Sequence, residues 1–400
     1  HLEARKAARL GEIAIDPLPA VLSIDDAMAA KSHFEDGPRI YQKGDAEAAI
    51  ASSPHQLEGS FDIGGQEHFY LEGQAAAALP QEGGDIVVYS STQHPTEIQH
   101  KVAEAIGKPM HAVRCEIRRM GGGFGGKESQ GNHLAVSCAI AASQTGKPCT
   151  MRYDRDDDMM ITGKRHDFRI DYRVGHDSDG RITGIDFLQL CRCGWSMDLS
   201  LPVADRAMLH ADNAYLIPNM RIESHRLKTN TQSGTAFRGF GGPQGMVGIE
   251  RVLDHVAHAV GRDPLDVRKL NYYSPSVDAS GGDISARKNA ETTPYHMPVE
   301  DFILHELSDT LVKNSDYKRR KEAVSTWNSE NAILKKGIAF SPVKFGISFT
   351  LTHLNQAGAL VHVYQDGSIH MNHGGTEMGQ GLFQKVAQVA AARFGVDVSK

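Results

Sequence analysis

Short runs of alternating or continuous hydrophobic residues predict most of the β-strands in this chain. Residues 113–117 alternate hydrophobic with charged positions, the period-two pattern of a strand with one buried face. Residues 86–90 form a compact apolar run that is typical of a strand buried on both faces. A third strand-like pattern begins at Leu57, and we expect it to continue through residues 69–71.

Two further pairs of strand patterns are joined by short turn sequences and predict β-hairpins. The first pair covers residues 169–174 and 182–191 and is joined through Asp-Ser-Asp-Gly. The second pair covers residues 361–364 and 369–371 and is joined through Asp-Gly. Because these turns are short, the two strands of each hairpin are expected to pair antiparallel.

Helical periodicity occurs between these strand patterns. Pro95 suits the first turn of one helix, and Gly146 followed by Lys-Pro is a helix stop signal. The predicted helices cover residues 45–50, 96–106, 132–143, 247–261 and 388–394. Strands, hairpins and helices mixed along one chain indicate an α+β fold.

The pattern also predicts where the chain divides. We interpret residues 1–31 as the tail of a preceding domain and residues 32–271 as a first domain. Residues 272–295 are rich in Ser, Gly, Pro and Asn and are predicted to be a linker to the beginning of a second domain, residues 296–400. The chain starts without Met, so we expect it to be a fragment of a longer polypeptide. The charged run at residues 154–158 is expected to be a solvated turn.

Composition narrows the classes of protein. The chain has 400 residues, 40% hydrophobic and 23% charged, as in soluble globular proteins. A net charge of −6 gives no general attraction to nucleic acid, and no apolar stretch reaches the roughly 18 residues of a membrane-spanning helix. The first residues are charged, unlike a secretory leader. We therefore expect neither nucleic acid nor membrane as a partner.

Five cysteines are an odd number and form no C-x-x-C pair, which favours a reducing compartment, the cytoplasm. Cys191 and Cys193 would point to the same face of a strand and could in principle hold a metal. No third or fourth ligand lies near them in the sequence. We therefore expect no metal at this pair and no iron–sulfur cluster in this chain.

Forty glycines suggest unusual backbone geometry, and their densest cluster is Gly121–Gly126, between a predicted strand and a predicted helix. The cluster fits G-x-G-x-x-G, but no acidic residue follows at the spacing of a dinucleotide site. With Lys127 it fits most of a nucleotide-binding P-loop, yet Glu128 stands where a hydroxyl is needed. A glycine-rich packing turn is the third interpretation of this loop alone.

Two more glycine-rich loops occur, Thr235–Gly245 and His373–Gly381. The first two loops place a phenylalanine between glycines, and the second adds Arg238, whose guanidinium can bind an anionic or oxo group. Three such loops in one chain predict a single large anionic cofactor that is held by backbone groups.

Together with residues 90–93 and 345–350, these three loops resemble the molybdenum-binding part of the xanthine dehydrogenase and oxidase family. The resemblance extends from about residue 57 to the end of the chain. It implies two consecutive molybdopterin-binding domains of mixed sheets and helices, the second one incomplete. It also implies molybdopterin, with molybdenum carrying oxo and sulfido ligands, as the cofactor.

The family's reaction implies further expectations. Its members hydroxylate a carbon next to nitrogen in an aromatic heterocycle, converting hypoxanthine and xanthine to urate with oxygen from water. Electrons leave through 2Fe-2S clusters and FAD to NAD. These groups lie on other domains or subunits and are not bound by this chain. The complete enzyme is expected to be a homo-oligomer.

Five residues match the family's cofactor-binding positions. Gln93 matches a glutamine whose amide binds an oxygen ligand of molybdenum. Phe124 and Gly125 match positions where backbone lies next to the metal centre, and Arg238 matches an arginine close to the cofactor. Gln380 matches a glutamine that holds the pterin. The resemblance thus implies that Gln93, Phe124 and Arg238 surround molybdenum.

Five other residues match substrate-binding positions. Phe240 and Phe349 match two aromatic residues that contact the purine, one face-on and one edge-on, and Thr350 matches a contact to a substrate carbonyl. Glu128 and Arg206 match residues that bind the polar edges of the purine, the arginine stabilising negative charge on the ring. Because aldehyde oxidases of the superfamily lack this pair, it favours a purine substrate.

The family's general base is a glutamate near the end of the molybdenum portion. No residue here matches it, so we expect it beyond Lys400, and Glu377 belongs to the third glycine loop instead. An aldehyde oxidase-type or other N-heterocycle hydroxylase is the alternative within the superfamily. A P-loop protein and a non-catalytic scaffold are the alternatives outside it.

Overall fold

The structure is a computed structural model that describes residues 2–274, 291–347 and 349–399. It contains helices and strands in mixed order along the described chain. The strands are β1 (Arg39–Lys43), β2 (His55–Ile63), β3 (Ala75–Pro80), β4 (Ile86–Ser90), β5 (Val113–Glu116), β6 (Cys149–Arg152), β7 (Lys164–Arg165), β8 (Asp167–His176), β9 (Ile182–Gly194), β10 (Met220–Lys228), β11 (Gly234–Thr235), β12 (Ala359–Val363) and β13 (Ile369–His373).

The helices lie before, between and after these strands. They are α1 (Leu2–Arg9), α2 (Ile24–Ala29), α3 (Ala46–Ala51), α4 (Pro95–Ile106), α5 (Asn132–Thr145), α6 (Arg155–Ile161), α7 (Ser200–Leu209), α8 (Gly242–Ala259), α9 (Pro264–Leu270), α10 (Leu304–Asn314), α11 (Tyr317–Glu330) and α12 (Leu382–Phe394). All five predicted helices are present, and the α+β class is confirmed.

A five-stranded sheet in the order β1-β10-β9-β8-β2 forms the larger layer. β9 and β10 are parallel, and the other neighbouring pairs are antiparallel. Alternate residues of β8 are buried and join one hydrophobic core with the apolar face of α8. Each such buried side chain stabilises the fold by roughly 1.5–3 kcal/mol relative to exposure. The predicted hairpin of β8 and β9 is confirmed, and both of its strands lie in the interior of this sheet rather than at an edge.

A four-stranded sheet in the order β5-β4-β3-β6 packs under α4 and α5. Pro95 is the first residue of α4, and Gly107 ends that helix in the left-handed conformation. β4 is buried along most of its length, as its apolar run predicts. This sheet carries the first glycine loop, which begins shortly after β5.

Two local predictions are wrong. Residues 69–71 are not a strand, because Phe69 adopts a φ of 51° and the chain turns there. Residues 154–158 are not a solvated turn: Asp154 caps α6, and its carboxylate accepts a hydrogen bond from the Asp157 N–H at 2.9 Å. Acidic residues in the first turn also suit the positive end of the helix dipole.

Asp158 within that run is buried. Its Oδ1 accepts a hydrogen bond from the Tyr70 hydroxyl at 2.6 Å, and its Oδ2 accepts one from the Gln74 N–H at 3.0 Å. The carboxylate therefore ties α6 to the irregular segment before β3, where the sequence pattern suggested a second half of a strand.

The predicted linker at residues 272–295 is described only at its two ends, because residues 275–290 lie outside the described residues. After it, α10 and α11 precede the β12–β13 hairpin and α12. The proposed domain boundaries stay a prediction. Within the described ranges, no helix combines the length and the hydropathy needed to span a bilayer.

Asn271 joins the β8–β9 hairpin to α9 through the hydrogen bonds of its side chain. Its buried carboxamide accepts a hydrogen bond from Ile182 N–H at 2.8 Å and donates to the carbonyls of Gly180 and Val267 at 2.9 and 2.8 Å. Asn271→Ala leaves these buried groups unpaired and should cost about 1–3 kcal/mol. Thermal unfolding of the full-length protein should show a lower midpoint, whereas the more exposed Asn331→Ala control should not. Equal midpoints would contradict this role.

Candidate cofactor and substrate site

The three glycine-rich loops meet at the first one. The Met120 N–H donates to the Glu377 carbonyl at 2.9 Å, which joins the first loop to the third. The Arg238 N–H donates to the Phe124 carbonyl at 2.8 Å, which joins the first loop to the second. Loops that are separated by more than 100 residues therefore form one surface, as a single cofactor site requires.

The first loop reaches its neighbours because of its left-handed backbone. Gly122, Phe124 and Gly125 have φ values of 89°, 53° and 96°. A Cβ on Gly125 would lie 2.8 Å from the Ala236 backbone, so only glycine allows this approach. A positive φ is strained for a residue other than glycine, and Phe124 adopts it. Its side chain is 42% exposed at the point where the loops meet.

Gln93 lies against the same loop. Its Oε1 accepts hydrogen bonds from the N–H groups of Gly125 at 2.9 Å and Lys127 at 3.3 Å. These contacts fix the carboxamide, and its Nε2 donates no hydrogen bond within the described ranges. The arrangement offers an N–H donor beside Phe124, which suits the molybdenum-facing role that the resemblance implies.

Lys127 does not face the loop as a phosphate-binding lysine would. Its side chain is fully buried, and its Nζ lies 3.2 Å from Glu72 Oε2 and donates to Ser91 Oγ at 2.8 Å. The ammonium group is thus directed into the protein interior. This geometry argues against the P-loop alternative.

The second loop is held from behind by Arg165. Its guanidinium donates to the Arg238 carbonyl at 2.9 Å and lies 3.9 Å from the Phe237 ring centroid. The Arg238 side chain itself is exposed and pairs with no carboxylate within the described ranges. Its charge is therefore available to an anionic group.

The third loop is stabilised by its own side chains. Gln380 Nε2 donates to the Thr376 carbonyl at 2.9 Å, and its Oε1 accepts from the Met378 N–H at 2.7 Å. Glu377 accepts hydrogen bonds from the N–H groups of Gly379, Gly381 and Phe383 at the start of α12, and these bonds lower the pKa of its carboxyl. Glu377 is thus a helix-capping carboxylate, in agreement with its exclusion as the general base.

Two of the predicted substrate-side residues, Arg206 and Thr350, come together on α7. The docking segment, defined as residues 342–347 and 349–350, packs on this helix. Arg206 donates to the Gly346 carbonyl and lies 4.6 Å from the Phe345 ring centroid. Thr350 Oγ1 donates to the Pro202 carbonyl at 2.7 Å. The Thr350 hydroxyl is therefore committed to a contact within the protein.

His210 joins the docking segment to the helix. Its Nε2 accepts a hydrogen bond from the Gly346 N–H at 3.1 Å, so the other ring nitrogen, Nδ1, carries the proton toward the Arg206 carbonyl at 2.9 Å. Burial, with the charges of Arg206 and Lys344, lowers the pKa of His210. The neutral imidazole is the form that makes both contacts.

Phe240 and Phe349 contact each other directly. Their ring centroids are 4.8 Å apart, and the planes are inclined by 35°. A ring placed between two parallel aromatic faces needs about 7 Å, twice a carbon–carbon contact distance of ~3.5 Å. The two residues are brought together as expected, but a flat substrate must displace one ring to lie between them.

Glu128 lies among other ionisable groups. Burial raises the pKa of its carboxyl to about 7, and the nearby Asp198 and Glu97 act in the same direction while His94 opposes them. His94 Nδ1 lies 2.9 Å from Glu97 Oε2, and this contact raises the pKa of His94. A cleft of about 920 Å³ is lined by His94, Glu97 and Asp198, but none of the five predicted substrate-side residues is among its lining residues. Its size is in the range of small-molecule sites.

The Cys191–Cys193 pair has a neighbour that sequence spacing could not reveal. His166 from the β7–β8 connection is buried beside both thiols, so the expectation that no third ligand is near is wrong. His166 Nε2 is hydrogen-bonded to Ser200 Oγ at 2.7 Å, and Cys193 Sγ donates to Cys191 Sγ at 3.6 Å. Burial raises the pKa of Cys191 well above its usual range, which favours neutral thiols in this cluster.

The geometry fits a molybdopterin cofactor. The fixed Gln93 amide, the exposed Phe124 and the available Arg238 charge all belong to the junction of the three loops. An added Cβ at Gly125 would collide with this junction. Polar donors on a rigid, backbone-lined surface are what an anionic cofactor of this size requires.

Comparison with known sequences agrees with this geometry. Residues 32–272 and residues 310–400 each match a family described as the molybdopterin cofactor-binding domain. The chain belongs to this family. Two successive matches confirm the expectation of two consecutive molybdopterin-binding domains, the second one shorter. The resemblance inferred from the glycine loops is confirmed as well.

Individual relatives show how much of a longer protein is present. A xanthine dehydrogenase of Drosophila pseudoobscura pseudoobscura is 44% identical over 99% of this chain. The chain spans 28% of the length of that relative. Nearly the whole of this chain therefore corresponds to one region of that longer protein.

Solved structures give the same fold. Quinoline 2-oxidoreductase from Pseudomonas putida 86 aligns with a TM-score of 0.82 at 20% identity, over 99% of this chain and 51% of that one. Aldehyde oxidoreductase from Desulfovibrio gigas aligns with a TM-score of 0.72 at 25% identity, over 92% and 39%. The molybdopterin-binding fold therefore extends over the described chain.

The backbone constraint at Gly125 predicts a loss of cofactor. Gly125→Ala places a Cβ 2.8 Å from the Ala236 backbone and strains a φ of 96°, so the first two loops must separate. We expect the full-length variant to contain less molybdenum per chain. Gly146→Ala is the control, because its φ of 66° is also positive but no atom lies near its Cβ position. Similar molybdenum contents in the two variants would contradict the role of loop contact.

Proposed function

We propose that the full-length protein is a molybdenum hydroxylase of the xanthine dehydrogenase type that oxidises hypoxanthine and xanthine to urate. The observation that carries the proposal is the junction on α7. There, Arg206 binds the docking segment that presents Phe349 and Thr350, and Phe349 contacts Phe240 of the second glycine loop. A cationic group on the helix that holds the docking segment, together with a pair of contacting aromatic rings, suits a flat, polar heterocycle.

The roles of individual residues follow from their contacts. When bound, molybdopterin would supply the redox chemistry, held by Gln93, Phe124, Gly125, Arg238 and Gln380. Phe240 and Phe349 would bind the ring faces, and the Thr350 backbone would bind a substrate carbonyl. Arg206 would stabilise negative charge on the ring, and Glu128 would bind its opposite polar edge.

The remaining parts of the reaction belong to segments outside this chain. We propose a general-base glutamate beyond Lys400, and 2Fe-2S and FAD domains or subunits that pass electrons to NAD. The same proposal includes a homo-oligomeric enzyme in the cytoplasm. Supporting it is the 44% identity to a protein named xanthine dehydrogenase over nearly the whole chain.

A second candidate is an aldehyde oxidase-type or other N-heterocycle hydroxylase. Its support is the similar fold of an aldehyde oxidoreductase, which aligns with this chain at a TM-score of 0.72. Glu128 and Arg206 favour the purine reading, because an aldehyde does not offer the polar ring edges that these side chains would bind.

Substitution of this pair separates the two candidates. Glu128→Ala and Arg206→Met in the full-length protein should each lower kcat/KM for hypoxanthine by an amount equivalent to about 2–4 kcal/mol, because each removes a hydrogen-bonded contact to a polar edge of the ring. Turnover of an aromatic aldehyde should fall much less. Arg114→Met is the control, since that side chain is 69% exposed. Equal losses for purine and aldehyde would overturn the purine assignment.

The pKa of Glu128 predicts a pH dependence. Below about pH 7 the carboxyl is protonated and can donate to a ring nitrogen, whereas above it a carboxylate lies close to Asp198 and Glu97. The KM for hypoxanthine should therefore rise above pH 7, and Glu128→Gln should remove this dependence. The exposed Glu104→Gln control should retain it. An unchanged pH profile in Glu128→Gln would exclude this titration.

The raised pKa of Glu128 also makes the stability of the folded protein depend on pH. The folded-state pKa of Glu128 is raised, so between about pH 4.5 and 7 the folded protein binds more protons than the unfolded chain. The contribution of this carboxyl therefore favours the folded state at low pH and is lost as the pH rises through 7.

A further inference from the structure

Lys127 ends the first glycine loop with a fully buried ammonium group. Nζ donates to Ser91 Oγ at 2.8 Å, lies 3.2 Å from Glu72 Oε2 and is 4.6 Å from the centroid of the Tyr70 ring. A buried cation is unfavourable unless such partners compensate its lost hydration. Because the sequence alternative of a phosphate-binding lysine does not fit, this charge needs another explanation.

Glu72 binds the other end of the loop. Its Oε2 accepts hydrogen bonds from the Gly121 N–H at 2.8 Å and from Ser91 Oγ at 2.9 Å, and its N–H donates to the Gly121 carbonyl at 3.1 Å. A Cβ on Gly121 would lie 2.6 Å from the Glu72 Cβ. One carboxylate therefore contacts both residues that bound the loop, Gly121 and Lys127.

The backbone of Lys127 extends this network to Gln93. The Lys127 carbonyl accepts hydrogen bonds from the Gln93 N–H at 2.8 Å and from Thr92 Oγ1 at 3.2 Å. The Lys127 N–H donates to Gln93 Oε1 at 3.3 Å. Movement of Lys127 would thus move both the main chain and the carboxamide of Gln93.

We propose that Glu72 and Lys127 form a charge clamp that closes the first glycine loop and positions the Gln93 carboxamide toward the bound cofactor. The two are positioning residues, because they act through Gln93 and the loop backbone. The side chain of Glu72 is 43% exposed and that of Lys127 is 0% exposed, so the lysine is the member that depends on the pair. The inference concerns cofactor binding and does not rest on the identity of the substrate.

The test compares full-length variants before any substrate is added. Lys127→Met keeps a long apolar side chain but removes the cation, and Glu72→Gln/Lys127→Met removes both charges without leaving one unpaired. Molybdenum per chain and the Mo(V) paramagnetic resonance spectrum after dithionite reduction are measured. Lys101→Met is the matched control, because the Lys101 side chain is 47% exposed and its ammonium pairs with Glu104 within α4.

Because Lys127 would act on the cofactor only through Gln93 and the loop backbone, we expect both Lys127 variants to contain less molybdenum per chain than the wild type. The remaining molybdenum should give an altered Mo(V) spectrum, because the Gln93 amide is misplaced. Lys101→Met should match the wild type. Wild-type molybdenum content and spectrum in the double variant would overturn the clamp.

Ser91→Ala keeps the test decisive if the charge variants do not fold. It preserves both charges and removes the hydroxyl that accepts from Lys127 and donates to Glu72. We expect unchanged circular dichroism with a smaller loss of molybdenum and a spectral change in the same direction. A lower unfolding temperature with a wild-type spectrum would mean a purely structural role and would refute positioning. Failure of purine turnover with normal molybdenum content would instead count against the proposed substrate.

Discussion

The left-handed backbone of the first glycine loop is the constraint on which the rest of the site depends. Positive φ values at Gly122, Phe124 and Gly125 reverse the chain within a few residues. This reversal turns the Phe124 carbonyl toward the second loop and allows the close approach to Ala236. Side chains other than glycine are strained in this conformation, so the site is specified first by its backbone and then by its polar groups.

The second half of the site is held by long-range contacts with the first half. Lys344 pairs with the buried Asp212, and Asn213 Nδ2 donates to the Pro342 carbonyl at 2.9 Å. These contacts join positions about 130 residues apart. In contrast, β12 is exposed along its whole length. Within the described ranges, the docking segment rather than the hairpin therefore fixes Phe349 and Thr350 relative to α7.

Local features of the fold could be predicted from the sequence, whereas features that depend on distant residues could not. The strands, the hairpin turns and α4 follow from periodicity and from caps such as Pro95 and Gly107, which act over a few residues. The prediction of a solvated turn at residues 154–158 is wrong, because burial of Asp158 depends on Tyr70, more than 80 residues earlier. Composition cannot show that a run of charges has an interior partner.

The candidate site shows the same division. Glycine spacing and motif resemblance select Gln93 and Arg238, but neither indicates that Phe240 and Phe349 close upon each other. Sequence spacing does not reveal His166, because this residue reaches Cys191 and Cys193 only through the pairing of neighbouring strands. The spacing around Lys127 matches most of a phosphate-binding loop, but only the fold shows that Glu72 is the partner of its ammonium group.

Neutral and charged groups are used for different tasks around the junction on α7. His210 accepts the Gly346 N–H on one nitrogen and donates to the Arg206 carbonyl with the other, which only the neutral ring can do. Burial beside Arg206 and Lys344 lowers its pKa, so this ring stays neutral where an isolated histidine begins to protonate. A neutral imidazole adds no second positive charge beside the Arg206 guanidinium, which donates to the Gly346 carbonyl. Arg206 therefore contacts the docking segment as a cation, whereas His210, one helical turn later, contacts it as a neutral group.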